Sequence, residues 1–174
     1  MFAALIAALG LLPRFDLPIA AGVPITAQTL GVMLAGALLG PRQGPLAVVL
    51  FLFVVACGAP LLAGGRGGLG VFASPTAGYL VGWIAGAAVT GWVVGAAPFR
   101  SPFATALAAA LLGGVLTIYA FGVPWLAWHT GLDPLRALIV GAVFLPGDIL
   151  KAIAAAFVVE AYARGRPVAA ADRR

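Results

Sequence analysis

The chain has 174 residues, of which 63% are hydrophobic and only 9% charged, with a mean hydropathy of +1.13. A soluble domain covers itself with about 25% charged residues, so this composition excludes a water-bathed globule and makes lipid the solvent. The net charge of +5 comes from thinly spread arginines, four of them near the end (Arg164, Arg166, Arg173 and Arg174). That pattern reads as a topology determinant beside anionic lipid, with no nucleic-acid partner implied.

Uncharged stretches at 17–41, 43–65, 67–99 and 101–128 are each long enough for a helix of about 20 residues to cross the hydrocarbon. No segment alternates apolar and polar residues as a membrane β-barrel strand does. The expected fold is therefore an all-α polytopic membrane protein, one membrane domain over 1–174 with six transmembrane helices. In chain order, span 1 covers 2–12 and ends at Pro13. It lacks a basic leading region and reads as a span, not a cleaved signal. An irregular stretch, 14–24, follows. Span 2 is 26–39, closed by the turn Gly40-Pro41-Arg42, and span 3 is 44–57. A Gly/Pro-rich connection, 58–75, leads to span 4 at 76–96 and, past the turn at 98–102, to span 5 at 103–121. The connection 122–134 holds Trp125, Trp128 and His129, residues expected at the headgroup level. Span 6 is 135–163, with an interruption expected at Pro146-Gly147.

Six spans put both termini on one side, together with Arg42, Arg100 and the four tail arginines, against Arg14, Arg66 and Arg136 on the other. The positive-inside rule makes that side the cytoplasm. Small residues at four-residue spacing let helix backbones approach closely. Gly78, Gly82 and Gly86 on span 4, continued by Gly91 and Gly95, are expected to pack inside the molecule, as are Gly36 and Gly40 on span 2. On span 1 the pairs Ala3/Ala7 and Ala4/Ala8 fit either internal packing or docking onto another membrane subunit.

Several chemistries lack their parts. The only lysine, Lys151, stands in DILK, so there is no GxxxxGK[ST] phosphate loop. Ser74 and Ser101 both precede proline, and no serine-hydrolase elbow is present. One cysteine, Cys57, forms no intrachain disulfide and reads as a small buried hydrophobe. His129 has no second ligand at metal-binding spacing, so no metal is expected, nor any cofactor, and the chain reads as a non-enzyme. Residues 64–70 evoke a nucleotide loop but lie between membrane spans. They read as a hinge or lid, or as a plain connection. Arg66 within them is either a solvated charge or a cap for an anionic ligand. Thr26, Gln28 and Thr29 cap span 2 or line a pocket, with Gln28 the strongest pocket candidate because an amide both donates and accepts.

Asp148 and Lys151, in FLPGDILKAIAAAF, are the chain's strongest signal. Ionisable groups at membrane depth are costly and mark sites, and their i, i+3 spacing puts both on one helical face. One reading is a structural ion pair, or an Asp cap with a snorkelling lysine. The other is a net-neutral donor–acceptor pair for a ligand with adjacent N–H and C=O groups, such as a urea or lactam.

Three segments carry a resemblance: VPITAQTLGVMLAGALLGPRQG (23–44), GAPLLAGGRGGLGVFASPTAGYLVGW (58–83) and FLPGDILKA (144–152). In order and spacing they resemble the BioY family, the biotin-specific S components of energy-coupling-factor (ECF) vitamin transporters. The resemblance implies a six-helix protein of the cytoplasmic membrane that captures biotin from outside the cell. It implies partnership with a transmembrane T subunit, docked through Ala3, Ala4, Ala7 and Ala8, and with two ATPases. The family's Asp and Lys match Asp148 and Lys151, the acid accepting from the ureido N–H groups and the ammonium donating to the ureido oxygen. Trp83, Phe72 or Tyr79 would cover the apolar part of the ligand, and Arg66 or Thr76 its carboxylate. Another small vitamin as ligand, a membrane scaffold without transport, and a homo-oligomer stand as alternatives.

Overall fold

The computed structural model describes residues 1–12, 26–96 and 101–165. The irregular stretch at 14–24, Arg100 and the tail arginines beyond Gly165 lie outside them. Helices α1 (Phe2–Gly10), α2 (Gln28–Ala56), α3 (Ala77–Ala96), α4 (Pro102–Ala109), α5 (Ile118–Thr130), α6 (Pro134–Ala142) and α7 (Leu145–Gly165) build the molecule. A 3-10 turn spans Leu69–Ala73, and a π-helical segment, Ala110–Thr117, joins α4 to α5 without a break. Among the described residues the only β feature is a single bridge between Leu62 and Arg66.

Helix α2 is two arms folded against each other. At Gly40 the backbone takes φ 84° and ψ −177°, left-handed territory open to glycine, and Pro41 starts the second arm with its φ already suited to a helix. Gln28 Nε2, at the beginning of α2, donates to the Leu61 carbonyl beyond its end at 3.1 Å. A straight helix of 29 residues would hold its ends about 43 Å apart. Gly44 accordingly lies against Gly36, where an added Cβ would come within 2.8 Å of the Gly36 Cα. Gly40 is thus the reversal point, with open space where its own side chain would stand and its backbone against Gly91, while the missing side chain of Gly36 admits the Ala87 carbonyl.

The glycines of α3 do pack inside the molecule. A Cβ on Gly78 would meet Trp125, one on Gly82 would meet Ile118, and one on Gly86 would meet the Gly113 carbonyl, so this stripe faces α5 and the π segment. Gly91 faces the Gly40-Pro41 reversal, whereas Gly95 faces open space and carries no contact. Helix α5 runs past the expected end at 121, through Pro124, to Thr130, where Gly131 (φ 67°) caps it. Trp125 and His129 therefore belong to a helix end and not to a connection. Trp125 Nε1 donates to the Ser74 carbonyl at 3.0 Å and His129 Nε2 to the Ala73 carbonyl at 2.8 Å, tying α5 to the 3-10 turn. Cys57, expected to be buried, is exposed just past the end of α2.

The interruption near Pro146-Gly147 is present, slightly earlier in the chain. Helices α6 and α7 meet at residues 143–144 with a bend of 50°, and Pro146 sits inside the first turn of α7, where a missing N–H costs nothing. Leu46, Phe53, Trp92, Leu116, Leu150 and Phe157 are all more than half exposed. Side chains of that size on the outside suit a lipid solvent, and the helices Ala77–Ala96 and Pro102–Thr130 are individually long and apolar enough to cross a membrane.

Candidate functional site

A cavity of about 610 Å³, its mouth included, opens among the starts of α2, α3, α5 and α7 and the Gly-rich connection. Asp148, Lys151, Gln28, Arg66, Thr76, Tyr79 and Trp83, seven residues scattered over 124 positions of sequence, all line it. Phe72 is not among the lining residues and is partly buried against the core.

The charged pair forms the polar wall. Asp148 sits in the first turn of α7 and Lys151 one turn later, with Lys151 Nζ 2.7 Å from Asp148 Oδ1. Their side chains are 8% and 16% exposed, so both charges are largely removed from solvent and each depends on the other. Asp148 does not cap α7, because its oxygens are engaged by side chains. Thr29 Oγ1 donates to Oδ1 at 3.3 Å and itself accepts from Lys151 Nζ at 3.1 Å, while Tyr119 donates its hydroxyl to Oδ2 at 2.5 Å. The bend between α6 and α7 produces this arrangement by starting a new helix at the cavity, with the first turn of α7 presenting the acid.

Gln28 proves to be a brace. It is 1% exposed, and its Nε2 donates to the Ile6 carbonyl at 3.2 Å and the Leu61 carbonyl at 3.1 Å while its Oε1 accepts from Ala63 N–H at 3.0 Å. Both amide hydrogens are spent on fastening α1 and the Gly-rich connection to α2, which leaves no donor for a ligand. Thr76 precedes α3 and accepts from Arg66 Nη1 at 3.4 Å, and Arg66 Nε reaches the Ala63 carbonyl at 3.4 Å. Both contacts are long for hydrogen bonds. Trp83 is 5% exposed and packs on Phe51, with ring centroids 6.3 Å apart, giving the cavity an apolar floor. The Tyr79 ring fills the space above Gly122, and its hydroxyl has no hydrogen-bond partner among the described residues.

Two polar neighbours of the acid were not singled out by sequence. Thr29 stood only as one of three polar residues near the start of span 2. Tyr119 gave no signal at all, since a lone tyrosine in TIYAFG looks like ordinary core or interface. On α1, Ala4 and Ala8 are exposed, whereas Ala3 and Ala7 pack against the core formed by α2 and α3. The four alanines are thus split between an inner and an outer face.

Comparison with known proteins follows the same lines. The chain is 48% identical over 176 residues to a biotin transporter BioY of Rhizobium etli, covering 97% of this chain and 92% of that protein. It is also 48% identical to a biotin transporter BioY of Rhodobacter capsulatus, covering 97% and 93%. Its fold superposes with a TM-score of 0.86 and 33% identity on the crystal structure of the S component for biotin from an ECF-type ABC transporter, over 95% of this chain and 88% of that one. The BioY family model matches residues 1–167, and the chain belongs to the BioY family.

Proposed function

We propose that this chain captures biotin at the Asp148–Lys151 wall and serves as the substrate-binding S subunit of an ECF-type transporter in the cytoplasmic membrane. The observation that carries this reading is the buried, net-neutral pair facing a small-molecule cavity in a chain of this family. A urea offers N–H donors on either side of a carbonyl acceptor. The Asp148 carboxylate accepts from an N–H, and the Lys151 ammonium donates to the oxygen. Arg66 and Thr76, at the edge reached through the Gly-rich connection, receive the ligand's carboxylate, and Trp83 with Tyr79 shields its apolar part.

The chain has no phosphate loop, and energy comes from two partner ATPases through a T subunit. The exposed Ala4/Ala8 face of α1 is the docking surface for that subunit, since small side chains permit close helix contact. Both termini lie in the cytoplasm on this reading, and the protein is a transport subunit, not an enzyme.

Competition binding on purified protein tests the ligand. Labelled biotin should be displaced by unlabelled biotin and by desthiobiotin, which keeps the urea, but not by thiamine or riboflavin. Displacement by either of those vitamins would move the protein to another substrate. Absence of saturable biotin binding would leave a scaffold role as the better account.

A further inference from the structure

The two oxygens of Asp148 are not equivalent. Each carboxylate oxygen has two acceptor sites. Lys151 Nζ at 2.7 Å and Thr29 Oγ1 at 3.3 Å take both sites on Oδ1. Among the described residues Oδ2 receives the Tyr119 hydroxyl alone, at 2.5 Å, which leaves one site for an incoming N–H. Lys151 and Thr29 therefore grip one end of the carboxylate, and rotation about its Cβ–Cγ bond is soft. The other end is fixed by Tyr119 alone among the described residues.

The tyrosine is itself held. It is the second residue of α5, directly after the π segment, and its ring meets that of Tyr79 edge-on, with centroids 6.0 Å apart and planes at 82°. The π segment sets the phase of α5. It is pinned at Gly113, where any Cβ would collide with Thr90 Oγ1 and the Gly86 carbonyl of α3. An aromatic residue in this frame cannot follow a swinging carboxylate, so the carboxylate is oriented by it.

We propose that Tyr119 is a positioning residue, which acts through Asp148 by turning the free acceptor site of Oδ2 toward the ligand N–H. This rests on the biotin reading above. It adds a determinant of specificity, the preference for a ligand edge that donates from nitrogen beside a carbonyl over one of the same shape that cannot donate.

The test compares biotin with its cyclic carbonate analogue, in which oxygen replaces both ureido N–H groups, by competition on intact protein and on Tyr119→Phe. The analogue keeps the carbonyl for Lys151 and has nothing to give Asp148. In Tyr119→Phe the preference for biotin over the carbonate should shrink by about tenfold or more, the scale of a charge-assisted hydrogen bond. Because both ligands are measured on one preparation, partial misfolding cancels from the ratio. A preference that stays the same, because both affinities fall alike or neither moves, overturns the proposal, as does one that grows. Intact protein that binds no biotin would instead overturn the proposed function, a result readily told apart from a retained preference.

Discussion

Lys151 Nζ and Asp148 Oδ1 lie 2.7 Å apart, on side chains that are both largely buried. Burying two charges costs several kcal/mol of solvation each, which their attraction and hydrogen bonds offset only together. Removing one partner should therefore hurt more than removing both. We expect Asp148→Ala, which strands the ammonium, to lose about 3–5 kcal/mol of stability. The double variant Asp148→Leu with Lys151→Met should recover much of that, read as melting temperatures in detergent. A double variant as unstable as the single one would mean that the pair's charges are not the issue. The pair was legible in the sequence because charge stands out in a chain that is 9% charged. Gln28 stood out as an amide among apolar neighbours, but its role did not, since its partners Ile6, Leu61 and Ala63 lie 22 to 35 residues away. Tyr119 was illegible, because a phenol looks apolar until its hydroxyl is seen on a carboxylate.

At the scale of elements, the glycine spacing on α3 foretold close packing, and the structure distinguishes its members. Gly82→Leu should force α3 from α5, because even a Cβ would lie 2.9 Å from the Ile118 carbonyl. Overpacking of this kind costs about 1–3 kcal/mol or more. Gly95→Ala, with nothing within 4 Å, should leave the melting temperature unchanged or slightly raised. Equal effects at the two sites would contradict the packing assigned here. The reversal at Gly40 was readable from Gly-Pro-Arg turn chemistry, which also places Pro41 at a helix start. The π segment was not readable. Its Gly113-Gly114 pair lies against Gly86, Thr90 and Met33, a tertiary packing that local sequence does not display. Helix α5 outran its expected end because its tryptophans read as a headgroup-level connection, whereas Trp125 and His129 bond Ser74 and Ala73 from within the helix.

Across the whole molecule, the Asp148–Lys151 pair of α7 is completed by Thr29 of α2 and Tyr119 of α5, both remote in sequence, so the full site exists only in the assembled bundle. Composition made the helical membrane fold plain, since a chain so poor in charge has few other ways to satisfy its backbone. The Gly-rich connection closes one side through Leu62 and Arg66, and positive-φ glycines at 58, 64, 65 and 68 shape its turns. If it settles over bound ligand, a spin label on Gly70→Cys, an exposed site with open space around its Cα, should lose mobility when biotin is added, the exposed native Cys57 being replaced by alanine so that only one thiol is labelled. Identical spectra with and without biotin would remove the lid from the account. Gly67 would be a poor probe position, because a Cβ there would strike the Ala59 carbonyl.

The central claim, biotin held by the Asp148–Lys151 wall, is tested most directly by titrating biotin into purified protein and into Asp148→Asn and Lys151→Ala. The account predicts saturable one-site binding to the intact chain. Each substitution should weaken it by about a hundredfold, the loss of a charge-assisted contact together with the stranding of its partner. Binding of unchanged affinity in both variants would contradict it.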